Sequence, residues 1–103
     1  MIKADDIYIA TNGGLDVLRH FYNEIDPANP KKPLKLRDDD KRASAGIFNK
    51  KGIWFLKDHG GTDNKAYTAI ELVKERLNLS FKDAIDWIAQ NFFQLVIIKF
   101  VII

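Results

Sequence analysis

The residue types best suited to binding lie in the middle third of the sequence, where cations and aromatic residues are interleaved. Residues 31–57 contain nine lysines and arginines against three aspartates, although the formal charge of the whole chain is only +2. Cations neutralise phosphates, and an aromatic ring offers bases a surface on which to stack. The pattern therefore favours a face that binds single-stranded nucleic acid. The residues expected to form this face are Arg37, Lys41, Arg42, Lys50, Lys51, Trp54 and Lys57.

Two plainer interpretations of the same residues stay open. A lysine-rich loop that is simply solvated has the same charge as a binding face. Trp54 and Phe55 are neighbours on the predicted return strand and therefore point to opposite faces. Trp54 is as well suited to a hydrophobic core as to a stacking surface.

A second group of residues could hold a hard metal ion, because Mg²⁺ and Ca²⁺ prefer carboxylate oxygens. Its members are Asp38, Asp39, Asp40, Asp58, His59 and Asp63. Closeness in sequence does not show that they converge, and a solvated acidic turn beside lysines is the favoured interpretation. We therefore expect no metal, no cofactor and no catalytic residue. A small metal-dependent enzyme using Asp38, Asp40, Asp58 and His59 is kept as a third hypothesis.

The composition limits what the chain can be. Its 103 residues suit one domain, residues 1–103, and 47% of them are hydrophobic, so a modest core can form. The absence of cysteine excludes a disulfide scaffold and a cysteine-based zinc site. The N-terminus is too polar for a signal peptide, and no apolar run reaches the roughly 18 residues of a membrane span. We expect a cytoplasmic protein that binds no membrane.

The elements that must position the basic residues can be predicted from periodicity and turn signals. Residues 11–22 have helical spacing, with a start near Gly14 or Leu15, and residues 34–36 alternate like a short strand. A hairpin is predicted from residues 44–48 and 53–57 around a connection at 49–52 that contains Asn and Gly. Helices are predicted over residues 66–77 and from Ser80 onward, the second with Phe81, Ile85 and Ile88 in the core. The apolar tail, residues 95–103, is either an added strand or a truncated linker.

The order of these features resembles the zinc-binding domain at the N-terminus of bacterial and mobile-element DNA primases. Lys41 and Ser44 match a lysine-threonine-proline-serine-phenylalanine element of that family, and Gly52-Ile53-Trp54 matches its hairpin return. Ile70-Glu71-Leu72-Val73 fits the following helix. The strongest match is Leu79-Ser80-Phe81-Lys82-Asp83-Ala84-Ile85-Asp86-Trp87-Ile88. The resemblance spans residues 34–92, and the family's zinc-ligand cysteines are absent, with Leu56 and His59 near the second pair.

The resemblance implies an α+β domain with a small antiparallel, zinc-ribbon-like sheet and about three helices, held without metal. It also implies a module that binds single-stranded DNA template and is not catalytic by itself. Such a module would work with a toprim primase or helicase domain in a replication or mobilisation protein. The alternative is a protein-interaction domain that kept the fold and lost DNA binding.

Overall fold

A computed structural model describes residues 2–35, 45–58 and 65–93 and gives an α+β arrangement, as predicted. Four α-helices and three strands occur in these segments: α1 Ala4–Ala10, α2 Leu15–Phe21, β1 Ala45–Lys50, β2 Ile53–Asp58, β3 Ala66–Tyr67, α3 Ala69–Leu77 and α4 Phe81–Ile88. The strands form one antiparallel sheet in the order β1-β2-β3. A π-helical turn, Ala89–Phe93, continues α4.

The N-terminal helices differ from the single helix that periodicity predicted over residues 11–22. Gly14, with φ +90°, precedes α2, which begins at Leu15 as expected. The additional helix, α1, buries Ile7, and the Asp6 carboxylate accepts the Lys3 backbone N–H at 2.9 Å. Between the helices, Asn12, Gly13 and Gly14 all have positive φ, so the chain reverses within a few residues.

The hairpin is confirmed with a shorter connection than predicted. Lys51 and Gly52 alone form the turn, with φ of 55° and 86°. Positive φ at both central residues is the geometry that fits the right-handed twist of two paired strands. The Asn49 side-chain oxygen accepts the Gly52 N–H at 3.1 Å. This turn fixes the register, in which Phe48 lies opposite Phe55 and Asn49 opposite Trp54.

Helix α4 has its predicted cap, and α3 begins later than expected. Residues 66 and 67 form the short strand β3 instead of a first helical turn, and Thr68 is the N-cap of α3. The Ser80 hydroxyl accepts the Asp83 N–H at 3.1 Å at the start of α4, as its capping signature predicts. Asn78, with φ 54°, ends α3.

Two hydrophobic clusters hold the domain together. The first joins the four helices and contains Ile7, Val17, Ala69, Ile70, Val73, Ala84, Ile85 and Ile88. The second joins the inner face of the sheet to α2 and α3 and contains Leu18, Ile25, Leu34, Ala45, Ile47, Leu56 and Leu72. The helices therefore cover one face of the sheet, which is called the inner face below, and the opposite face is called the outer face.

Two sequence predictions need correction, one about a core residue and one about a strand. Phe81 was expected in the core with Ile85 and Ile88, yet it is 52% exposed while they are buried. It is the first residue of α4, and the Lys74 ammonium lies 5.9 Å from its ring centre. Of the strand expected over residues 34–36, the structure describes Leu34, which forms an isolated bridge with Ala45, and Lys35; Leu36 lies outside the described residues. The apolar tail lies outside the described residues.

Candidate nucleic-acid interface

The outer face of the β1–β2 hairpin displays two aromatic rings. Phe48 and Phe55 are paired across the two strands, so their side chains lie on the same face. Lys50 and Lys57 lie on that face too, because every second residue of a strand points to the same side. Phe48 is 37% exposed. Its ring stacks on that of Phe55, with the centres 5.0 Å apart and the planes inclined by 4°. A flat aromatic pair at a sheet surface is a ready support for a further ring.

Lysines flank this aromatic pair along both strands. Lys50 follows Phe48 by two residues toward the hairpin tip, and Lys57 follows Phe55 by two residues in the other direction. Lys51 is exposed in the turn itself. Two residues of strand advance the chain by about 7 Å, so a cation lies within one side-chain length of each end of the pair. This group, Phe48, Lys50, Lys51, Phe55 and Lys57, is called the hairpin platform below.

Cations predominate among the charged side chains described around the hairpin platform. The described parts of residues 31–57 contain Lys31, Lys32, Lys35, Lys50, Lys51 and Lys57 and no carboxylate. Lys31, Lys32 and Lys35 are exposed near the start of β1, because Leu34 bridges Ala45. Asp58 lies opposite Ala45 at the same end of the hairpin, but cations outnumber carboxylates among the described residues here, and the excess of positive charge attracts polyanions.

Trp54 does not belong to the hairpin platform. It lies on the inner face, partly buried against the second cluster, and its backbone N–H bonds to the Gly13 carbonyl at 2.9 Å. The indole is therefore a packing residue that fits the turn between α1 and α2 against the hairpin. The sequence prediction that Trp54 and Phe55 point to opposite faces is correct, and the ring on the outer face is Phe55.

The other predicted site residues divide into described and undescribed ones. Lys50, Lys51 and Lys57 come together on the hairpin, whereas Arg37, Lys41 and Arg42 lie outside the described residues. Of the hypothetical metal ligands, only Asp58 is described. Within residues 2–35, 45–58 and 65–93, no three histidine, aspartate or glutamate side chains are placed to hold a metal ion.

Sequence reasoning missed Phe48 and Phe55 as a functional pair. Both were assigned to strands, but a four-residue connection at 49–52 would have put Phe48 opposite Ile53. The two-residue turn moves the register and brings the two phenylalanines face to face. The available signal was the Lys51-Gly52 pair, because glycine accepts the positive φ that such a turn requires.

Comparison with known proteins does not assign this chain to a family. No family model, no curated protein and no solved structure matches this chain. In the part of the chain that the structure describes, no helix has the length and apolar character needed to cross a membrane.

Proposed function

We propose that this protein binds single-stranded nucleic acid through the hairpin platform. The observation that carries the proposal is the parallel stack of Phe48 and Phe55 on the outer face, with Lys50 and Lys57 beside it. Bases stack on such rings whatever their sequence, while lysines neutralise the phosphates that connect them. Duplexes cannot present a base face in this way without unstacking, so single strands are the preferred ligand.

The exposure of the Phe48 ring to water favours a binding role over a purely structural one. An apolar side chain gains most when it is removed from water, and the Phe48 ring is exposed although the domain has a well-packed inner face. Placing four or more charged and aromatic groups on one small sheet face does nothing for the core. It does provide the two interactions that hold single strands, stacking and ion pairing.

We further propose that the domain is a non-catalytic template-binding module of a cytoplasmic, primase-like replication or mobilisation protein. Support comes from the sequence elements that resemble primase zinc-binding domains. Gly52-Ile53-Trp54 begins the return strand of the hairpin, and Leu79-Ser80-Phe81 leads through the Ser80 cap into α4. A toprim or helicase domain would then supply the chemistry, and the module itself would use no cofactor.

The experiment is fluorescence-anisotropy titration of a labelled single-stranded oligonucleotide at low salt. Phe48→Ala removes one ring of the stack, and loss of base–aromatic stacking of about 1–3 kcal/mol should weaken binding by roughly 5- to 150-fold. Phe81→Ala is the matched control, since Phe81 is an exposed phenylalanine outside the hairpin platform. Equal affinities for the two variants would refute the stacking role. Absence of binding by the folded wild-type protein would favour the protein-interaction alternative.

A further inference from the structure

The outer edge of β1 carries main-chain hydrogen-bonding groups beside the hairpin platform. Trp54 directs its N–H away from β1, to the Gly13 carbonyl, so Asn49 opposite it also directs its N–H and C=O away from β2. The same alternation applies to Ile47 and Ala45. The outward groups of Ala45 are bonded to Leu34: the Ala45 carbonyl accepts the Leu34 N–H at 2.7 Å, and the Ala45 N–H donates to the Leu34 carbonyl at 3.0 Å. Among the described residues, none bonds to the outward groups of Ile47 and Asn49.

The aromatic stack leads toward this edge. The ring centres of Phe55 and Phe48 are 5.0 Å apart, close to the spacing of about 4.8 Å between neighbouring strands. A third ring that continues the stack beyond Phe48 would therefore lie where a fourth strand would place its side chain. The polar edge of such a ring would take the place of that fourth strand's backbone. It would then lie within hydrogen-bonding distance of the outward N–H and C=O groups of β1.

We infer that an unpaired base occupies this place, stacked on Phe48 and hydrogen-bonded along its Watson–Crick edge to the N–H and C=O of Asn49. This inference rests on the proposed function. Each base has a donor next to an acceptor on that edge, which matches the donor and acceptor of one residue in a strand. Asn49 is favoured over Ile47 because Leu34 occupies the edge two residues from Ile47, and because Lys50 and Lys51 follow Asn49.

A positive environment decides which occupant is expected at this edge. An open strand edge also accepts an extended peptide, whose main chain brings no charge. Lys50 and Lys51 follow Asn49 directly at this edge, and their positive charge fits a phosphate-bearing ligand better than a neutral backbone. The site would also exclude duplexes, because a paired base has already used its Watson–Crick edge.

The test compares a short oligothymidylate with the same oligonucleotide in which difluorotoluene replaces every thymine. The replacement keeps the ring shape and stacks, but it does not form the thymine hydrogen bonds. Wild-type protein should bind the analogue at least about five-fold more weakly, the effect of one neutral hydrogen bond. Asn49→Pro removes the outward N–H without touching the β1–β2 ladder, and it should reduce the preference for thymine because only the C=O of residue 49 is left to bond the base.

Asn49→Ala is the matched control. Both variants lose the side-chain bond to Gly52, but only the proline variant loses the N–H, so Asn49→Ala should keep the preference for thymine. Equal binding of both oligonucleotides by wild type, as expected if a peptide fills the edge, would overturn the inference while leaving the proposed function intact. An undiminished preference for thymine in folded Asn49→Pro would overturn it too. If wild type binds neither oligonucleotide at low salt, the proposed function itself fails.

Discussion

Gly13 offers a sensitive test of how the helices hold the hairpin in place. It has φ +72°, and its carbonyl accepts the Trp54 N–H at 2.9 Å. A Cβ atom added to Gly13 would overlap the backbone oxygen of Gly52, in the turn next to the hairpin platform. Because backbone cannot rotate away as a side chain can, Gly13→Ala must separate the α1–α2 turn from the hairpin.

The expected cost has two parts. An alanine at positive φ costs about 1–2 kcal/mol. Loss of the Gly13–Trp54 bond adds about 0.5–1.5 kcal/mol, so Gly13→Ala should lower the free energy of unfolding by about 1.5–3.5 kcal/mol. Gly52→Ala is the matched control, since Gly52 has φ +86° but open space around its Cβ position. It should cost only the conformational part, about 1–2 kcal/mol.

Urea denaturation followed by circular dichroism measures both values under the same conditions. Both variants replace a glycine of positive φ by alanine. The difference between their free energies of unfolding therefore isolates the contact between the α1–α2 turn and the hairpin. If Gly13→Ala and Gly52→Ala destabilise the protein equally, the described contact between these segments is wrong.

Two further predictions concern the helical cluster and pH. Ile85→Ala should lower the free energy of unfolding by about 2–5 kcal/mol because Ile85 is buried. Phe81→Ala should change it by at most about 0.5 kcal/mol because Phe81 is exposed, and equal effects in urea denaturation would contradict the assigned core. Burial raises the pKa of the Tyr8 hydroxyl, and Glu71 adds to this while a hydrogen bond with Thr68 opposes it. A phenol whose pKa is raised by folding stabilises the protein below its unfolded pKa of about 10, and this contribution is lost as the pH rises through the folded value. Stability should therefore fall above pH 10 more steeply in wild type than in Tyr8→Phe, and identical pH profiles would show that the Tyr8 hydroxyl is not shielded from water.

The elements with strong local signals were predictable from the sequence. Ser80 and Asp83 mark the start of α4, and Asn49 and Gly52 mark the hairpin, because a cap or a tight turn needs particular residues at fixed positions. Helix α1 was not predictable from periodicity, since seven residues with one buried side chain, Ile7, contain too little pattern.

The composition of the hairpin platform depends on long-range packing. Trp54 and Phe55 are both large and apolar, so no local rule decides which of them faces inward. The choice is made by the second cluster and by Gly13, which lies some forty residues earlier and bonds to the Trp54 N–H. The Phe48–Phe55 stack further requires a register that only the two-residue turn fixes.

The salt dependence of single-strand affinity tests the central claim most directly. If the hairpin platform neutralises phosphates, log affinity should fall linearly with log salt concentration, by about 0.7 for each phosphate contact. A double variant, Lys50→Gln with Lys51→Asn, removes two cations while asparagine keeps the positive φ of residue 51, and it should flatten the slope by up to about 1.4. Arg19→Gln with Lys82→Gln removes the same charge from the helices and should leave the slope nearly unchanged. A slope that is equal in all three proteins, or a wild-type protein that does not bind at low salt, would contradict the account.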